Sequence, residues 1–425
     1  MTPPGNGPTN GRANGSMTED VIETVRAGFA RSDRLFWLDG GGSRDWSGRR
    51  SLVGVLDEDD VSLSFDAGRQ EVSRHQGDRD EVVGTDVFAV LEAEIARDRG
   101  DPDVHWVGCF GYASRPDLQA GPWGHGPDAI WMRCRSPIFF DHTRVLEPVP
   151  GPVEGDPTRT PGWYAAAFAR VQEELHAGNS YEVNLTYRDE VGPATDPLGT
   201  YLRLRASNPA PYAGLLRHRG THLLSSSPER YATVDRHRWL ETKPMKGTTQ
   251  RGVTEEEDQL RGEELAREPR FRAENLMIVD LLRNDLSMVC EVGTVTVPSL
   301  MAVESYASVH QLVSTVRGRL RDDVSTLGAL RALFPAGSMT GAPKRRTMEI
   351  IDGVETTPRG LYAGAFGWIG ADGRADLGVV IRSLFTGPDG VWRLGTGGGI
   401  TVHSDVDEEW TETLWKAHRL RAASL

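Results

Sequence analysis

Lysine is nearly missing from this chain: Lys243, Lys246, Lys344 and Lys416 stand against 44 arginines in 425 residues. Arginine does almost all the general work of a surface cation. A lysine that persists points to a task needing a compact amine that can lose its proton, with codon bias as the plain alternative for any one of the four. Cysteine is scarce too. Cys109, Cys134 and Cys290 make no CxxC pair and no even framework, which argues against a disulfide scaffold or a zinc site and fits a reducing cytoplasm. The eleven histidines show no HExxH pattern. No apolar run approaches the roughly 18 residues of a membrane span; residues 362–369 are the longest good candidate. Net positive charge is also lacking. At −13, the chain is a poor candidate for tracking nucleic-acid phosphates. No repeat of 20 to 50 residues is visible, so solenoids and propellers are disfavoured.

What is present suits a folded globular protein. Apolar residues make up 38% and charged residues 26%, enough for a sizeable core. Residues 1–17, rich in Pro, Gly and Asn without an apolar stretch, read as a disordered tail rather than a signal peptide. Residues 18–150 read as an N-terminal subdomain, an antiparallel sheet with few helices. Residues 146–161 are a Pro/Gly-rich connection. Residues 160–425 read as a second subdomain. In it a helix opens at Pro161, with Tyr164, Phe168, Val171 and Leu175 at helical spacing, and stops at Gly178. Strict alternation follows, with Tyr181, Val183, Leu185 and Tyr187 on one face and Glu182, Asn184 and Thr186 on the other. Further strands are expected at 212–216, 222–225, 230–234, 360–369, 375–385 and 391–395. Helices are expected at 255–266, 273–286, 325–333, 343–352 and 407–420. Antiparallel strand runs with helices between them make the class α+β.

Four segments carry chemistry. In Glu241-Thr-Lys-Pro-Met-Lys-Gly-Thr248, Pro244 and Gly247 bracket Lys246 and predict a turn with the amine at its tip. A solvated turn lysine would look the same, and a nucleophilic one needs its pKa lowered by burial or a nearby cation. The apolar helix of residues 272–286 places Glu274 in its first turn, where it could hold a divalent cation or merely cap free amides. In Gly395-Thr-Gly-Gly-Gly-Ile400, three consecutive glycines could close on a carboxylate or phosphate. The following helix puts Glu409, Glu412 and Lys416 on one face, which could hold a metal and an anion or simply be a solvated surface. Phe334-Pro-Ala-Gly-Ser-Met-Thr-Gly-Ala-Pro-Lys344 fails the GxxxxGK[ST] test, which disfavours nucleotide binding but leaves a helix start able to receive another anion.

Taken together, these segments resemble the chorismate-utilising enzymes, a family that includes anthranilate, aminodeoxychorismate, isochorismate and salicylate synthases. The resemblance is dense over residues 160–420 and weaker at Phe36-Trp-Leu-Asp-Gly-Gly-Gly-Ser-Arg-Asp-Trp-Ser-Gly48. It implies a two-sheet αββα sandwich with the active site between the sheets. It implies Mg²⁺ on Glu274 and Glu412, with Glu409 close by, and a carboxylate received by the amides of Gly397 and Gly398. It further implies substrate contacts from Gly247, Thr248, Thr340, Tyr362, Arg382 and Lys416, and Glu229 as the acid for the departing 4-hydroxyl. Asn208-Pro-Ala-Pro-Tyr212 matches a segment that lines a tryptophan pocket in relatives.

Three positions discriminate within the family. Glu182 stands where isochorismate and salicylate synthases carry a water-activating lysine. Lys246 occupies a PxKGT turn that holds alanine in anthranilate synthases and resembles the aminodeoxychorismate synthase signature. Gln311 replaces the anthranilate-type histidine. The resemblance thus implies amination of chorismate, for p-aminobenzoate and folate or a specialised aromatic amine. Lys246 would act as nucleophile at ring C2, or else as an ammonium assisting departure of the hydroxyl. An anthranilate synthase large subunit, or a non-catalytic chorismate sensor, would be the rivals. No cysteine lies in a glutaminase context, so a separate glutamine amidotransferase subunit supplying ammonia is expected. Phe271 for a second acidic residue, Thr249-Gln250 for Arg-Pro, and Glu182 for the common Gln are departures from the family pattern.

Overall fold

A computed structural model describes residues 16–42, 50–142, 159–306 and 309–425, together with residues 47 and 146. Among these, two sheets of nine and twelve strands form the α+β, two-sheet sandwich that the sequence implies. Their shared interior is one apolar cluster. It takes Phe36, Leu216 and Phe385 from the nine-stranded sheet and Trp106, Leu240 and Phe366 from the twelve-stranded sheet. Each fully buried side chain of this size contributes about 1.5–3 kcal/mol. Helices Ser16–Arg31, Pro197–Ser207 and Val406–Ser424 bury Val21, Leu204 and Leu420 against Leu224 and Leu394 of the nine-stranded sheet. Helices Gly162–His176 and Lys344–Val354 bury Phe168 and Ile351 against Val183 and Leu185.

Strands from the expected N-terminal subdomain enter both sheets. Strand Arg34–Asp39 pairs with Tyr212–His218, and strand Val104–Phe110 pairs with Ala365–Gly370. Of the expected tail, residues 1–15 lie outside the described residues, and a helix already begins at Ser16. Of the connection at 146–161, residues 147–158 lie outside them as well.

Three local expectations are corrected. The single strand expected over 375–385 is two strands, Ala375–Val379 in the twelve-stranded sheet and Ser383–Thr386 in the nine-stranded one. The chain crosses between sheets at 380–382, where Arg382 adopts φ 50°, a left-handed conformation that a non-glycine residue holds only under tertiary constraint. Both halves are strand-like, so composition hid the crossing. The strand expected over 391–395 continues through the glycines as Val391–Ile400, with Gly397, Gly398 and Gly399 opposite Thr186, Leu185 and Asn184. The Glu274 helix begins at Pro269, so Glu274 lies in its second turn, and Leu276 is 53% exposed, so only one face is buried.

Candidate active site

A cleft is lined by both sheets and by helices Pro269–Ser287 and Val406–Ser424. Twelve of the thirteen site residues expected from the sequence line it. Thr340 does not: it is fully buried and its hydroxyl lies 3.3 Å from the carbonyls of Ala336 and Gly337.

Lys246 sits in strand Met245–Gln250, not at a turn tip. It pairs with Leu312, and the register then slips before Thr248, a bulge made possible by Gly247 at φ 76°. A Cβ on Gly247 would meet the Phe271 ring at 2.7 Å, so this glycine is needed for space as well as conformation. The Lys246 ammonium is buried and donates to Oε1 of Glu182, which is fully buried behind it on strand Glu182–Pro193. Burial opposes the charge, but Glu182, Glu274 and Glu229 outweigh it and push the Lys246 pKa up to about 12. The solvated-lysine reading is therefore wrong, and the lowered pKa that a nucleophilic lysine needs is not found at rest: this amine is an ammonium.

Glu229 precedes strand Arg230–Val234 and accepts a hydrogen bond from Ser338 Oγ at 2.6 Å. Burial raises its pKa to about 7, against the pull of Ser338, Lys246 and Lys416. A carboxyl group half-protonated near neutrality suits a proton donor.

Glu274, Glu409 and Glu412 form the acidic wall. The Arg270 guanidinium bridges the first two, 3.2 Å from Glu274 Oε1 and hydrogen-bonded to Glu409. Glu412 pairs with Lys416 at 2.6 Å. Burial and the neighbouring Glu412 raise Glu409 to about 7. Hard carboxylate oxygens suit Mg²⁺, and Glu274 and Glu409 already share one cation. Among the described residues, however, no three acidic, His or Cys side chains converge tightly enough to enclose a metal as they stand.

The glycine strand passes directly over these groups. A Cβ at Gly398 would fall 2.8 Å from Glu409 Oε2, and one at Gly399 would fall 2.9 Å from Lys246 Nζ and closer still to Glu182 Oε1. Lys416 donates to the Gly397 carbonyl at 2.8 Å. Strand Ser383–Thr386 pairs only as far as Leu394, so beyond it this edge has no strand partner among the described residues, and Gly395 to Gly399 line the cleft. Arg382 lines the same cleft and makes no ion pair or side-chain hydrogen bond among the described residues; burial lowers its pKa. An unpaired, half-buried guanidinium facing a cleft suits an anionic ligand. Tyr362 is pushed up to about 12 by burial and stays a neutral hydroxyl.

Sequence reasoning missed Arg270 and Ser338. The spacing of Arg270, four residues before Glu274, was the available signal for an ion pair. The Phe334–Lys344 segment receives no anion through its lysine, because Lys344 donates to Asp285 at 2.8 Å and to the Leu333 carbonyl at 2.6 Å. Gln311 lines the cleft with its Oε1 buried and unpartnered. Pro211 and Tyr212 line a different cavity, together with Asp39 and Trp368.

Residues 144–422 match a family described as chorismate binding enzyme. This chain belongs to that family. It is 50% identical over 246 residues to an aminodeoxychorismate synthase of Streptomyces pristinaespiralis, covering 58% of this chain and 34% of the relative. It is 36% identical to an aminodeoxychorismate synthase of Streptomyces griseus, over 92% of this chain and 60% of that protein. The chain thus spans about a third to three fifths of the length of these relatives. Among solved structures, anthranilate synthase component I of Streptococcus pneumoniae superposes with a TM-score of 0.74 at 24% identity, covering 89% of this chain and 93% of the other, which shows the shared fold. No helix among the described residues is long and apolar enough to cross a membrane.

Proposed function

We propose that this chain is the chorismate-aminating component of an aminodeoxychorismate synthase, converting chorismate and ammonia to 4-amino-4-deoxychorismate. The observation that carries this reading is the buried amine of Lys246 inside the cleft shared by Glu274, Glu412 and the glycine strand.

In this reading the substrate's carboxylates meet Arg382 and the cleft-lining backbone at Gly397 and Gly398. Glu274, Glu409 and Glu412 would hold Mg²⁺, and the ion would supply Lewis-acid withdrawal of charge from the ring carboxylate. Glu229 protonates the departing 4-hydroxyl, so that it leaves as water. Lys246 adds at ring C2, and ammonia then enters at C4 and expels the lysine. A second reading has specific support: the raised pKa of Lys246 favours an ammonium that assists the departing hydroxyl without forming a bond. A glutamine amidotransferase supplies the ammonia, and free ammonium substitutes for it in vitro. Three free, buried cysteines suit a reducing cytoplasm. The product serves p-aminobenzoate and folate supply or a specialised aromatic amine.

Incubation with chorismate, Mg²⁺ and ammonium tests the proposal. Product that a 4-amino-4-deoxychorismate lyase converts to p-aminobenzoate supports it. Fluorescent anthranilate released without the lyase identifies the anthranilate synthase reading. Chorismate binding without turnover identifies a sensor.

A further inference from the structure

The resting ion pair sets a problem for nucleophilic catalysis. An ammonium held near pKa 12 has no lone pair to offer, so something inside the cleft must accept a proton before Lys246 can bond to carbon. Bulk water has poor access: Lys246 is 9% exposed and Glu182 is 0% exposed. The groups facing the amine are Glu182 from strand Glu182–Pro193, Glu274 from helix Pro269–Ser287, Glu412 from helix Val406–Ser424, and Glu229 from the turn before strand Arg230–Val234. Glu274 is hydrogen-bonded by Arg270, Glu412 is paired with Lys416, and Glu229 is occupied by Ser338. Glu182 alone among them accepts directly from the Lys246 amine, while its second oxygen, Oε2, is buried with no hydrogen-bond partner.

We infer that Glu182 is the general base of this site, the group that takes the proton from Lys246 as the amine attacks and returns it when the amine leaves. This rests on the proposed amination chemistry and deepens it. With Oε1 already against the amine and Oε2 without a donor, Glu182 has an acceptor directly in line with the proton that must move. In a pocket this buried the ammonium–carboxylate pair and the amine–carboxylic acid pair lie closer in energy than they would in water, because the neutral pair avoids the cost of two buried charges. Bound substrate covers the cleft and tilts the balance further.

The step balances as follows. Nζ passes one proton to Glu182 Oε1 and uses the freed lone pair to bond ring C2. The two ring double bonds shift toward C4, and the C4–O bond breaks. The hydroxyl takes the proton of Glu229 and departs as water. Ammonia then bonds C4, the double bonds shift back, and the C2–N bond breaks with its electron pair returning to Nζ. Glu182 hands its proton back to the lysine, and the Glu229 carboxylate recovers one from the new ammonium.

The test compares Glu182→Gln with the unaltered chain at saturating chorismate, Mg²⁺ and ammonium from pH 6.5 to 9.5, with product identified as above. The quantity read is the variant-to-parent ratio of kcat, in which the titration of Glu229 and the ammonia supply cancel. Without its base the variant must lose the lysine proton to solvent. The ratio is therefore expected to lie at least tenfold below unity at pH 7 and to climb about tenfold per pH unit, levelling where Lys246 now titrates, while chorismate affinity changes less than threefold. If Lys246 acts instead as an ammonium, removing Glu182 lets it deprotonate sooner and the ratio falls with pH. A falling or pH-independent ratio overturns the inference. A second variant, Glu182→Ala, is assayed with added formate: saturable recovery of turnover supports the base, and no recovery overturns it. A parent chain that forms no 4-amino-4-deoxychorismate overturns the functional reading and this inference together. An active parent with a flat ratio overturns the inference alone.

Discussion

Gly399→Ala tests the spatial logic of the site with a single methyl group. Gly399 lies inside a continuous strand opposite Asn184, so alanine meets no backbone penalty there. Its Cβ, however, would fall 2.9 Å from Lys246 Nζ and closer still to Glu182 Oε1. Neither neighbour has free room, since Glu182 is 0% exposed and the amine is held against it. Two responses are open. If the strand moves, the cost is that of overpacking, about 1–3 kcal/mol. If Glu182 swings away, a buried ammonium loses its partner, a change that costs about 3–5 kcal/mol where measured for buried pairs. The strand is anchored by pairing with strand Glu182–Pro193 along its length, so we expect the second response and a loss of about 3 kcal/mol or more in urea-induced unfolding followed by tryptophan fluorescence. Chorismate turnover should fall at least tenfold in parallel. Gly398→Ala is the control one residue away. Its nearest obstacle is the side-chain end of Glu409 at 2.8 Å, with Lys416 at 3.9 Å, and it should cost about 1–2 kcal/mol. Gly399→Ala with unchanged unfolding midpoint and unchanged turnover would refute the placement of the pair beneath this strand.

Lys246→Ala should cut turnover by at least a hundredfold with little change in chorismate binding measured by calorimetry; equal activity would remove the lysine from the mechanism. Burial raises the Glu229 pKa to about 7, so its acid form prevails below that pH. At pH 8 only about one in ten molecules keeps the proton, and kcat should fall about tenfold per unit above pH 7. Glu229→Gln should abolish that limb as well as most of the rate, and a surviving limb would assign it to another group. Glu412→Gln should shift the Mg²⁺ titration of activity, and of the chain's intrinsic fluorescence, to concentrations at least tenfold higher; an unmoved titration rules it out as a ligand.

Much of the site was legible because its residues occupy short segments with local signals. The glycine run, the helix carrying Glu409, Glu412 and Lys416, and the PxKGT segment each announce themselves within about ten residues. What was not legible depends on partners far apart in the chain. Lys246 reads as a turn lysine because Pro and Gly flank it; only the strand that brings Glu182, 64 positions away, against it reveals a buried ion pair. The protonation state of the amine stayed open for the same reason, since burial and facing carboxylates act in opposite directions and only the packed arrangement decides which prevails. The crossing at Arg382 was hidden because period-two alternation reports a strand without reporting which sheet it joins. Glycine's poor strand propensity likewise concealed that residues 395–400 continue a strand, which is set here by what lies above them and not by propensity.

The scarcity of lysine turns out to mark burial more than catalysis. All four are ion-paired: Lys243 with Glu304, Lys246 with Glu182, Lys344 with Asp285 and Lys416 with Glu412. Only Lys246 and Lys416 line the cleft. Lys344 lies elsewhere, its ammonium divided between Asp285 and the Leu333 carbonyl, a geometry of converging point contacts that a planar guanidinium fork matches poorly. Retention of lysine in an arginine-rich chain is therefore explained by compactness where space is short, and at Lys246 the proposed proton chemistry would add a second reason. Compactness is common to at least three of the four, since Lys243, Lys246 and Lys344 are all largely buried. What separates Lys246 from Lys344 is the opposite face of the pair. Asp285 is buried on helix Pro269–Ser287 and does not line the cleft, whereas Lys246 does line it, under a strand whose missing side chains leave room for the amine and the carboxylate behind it.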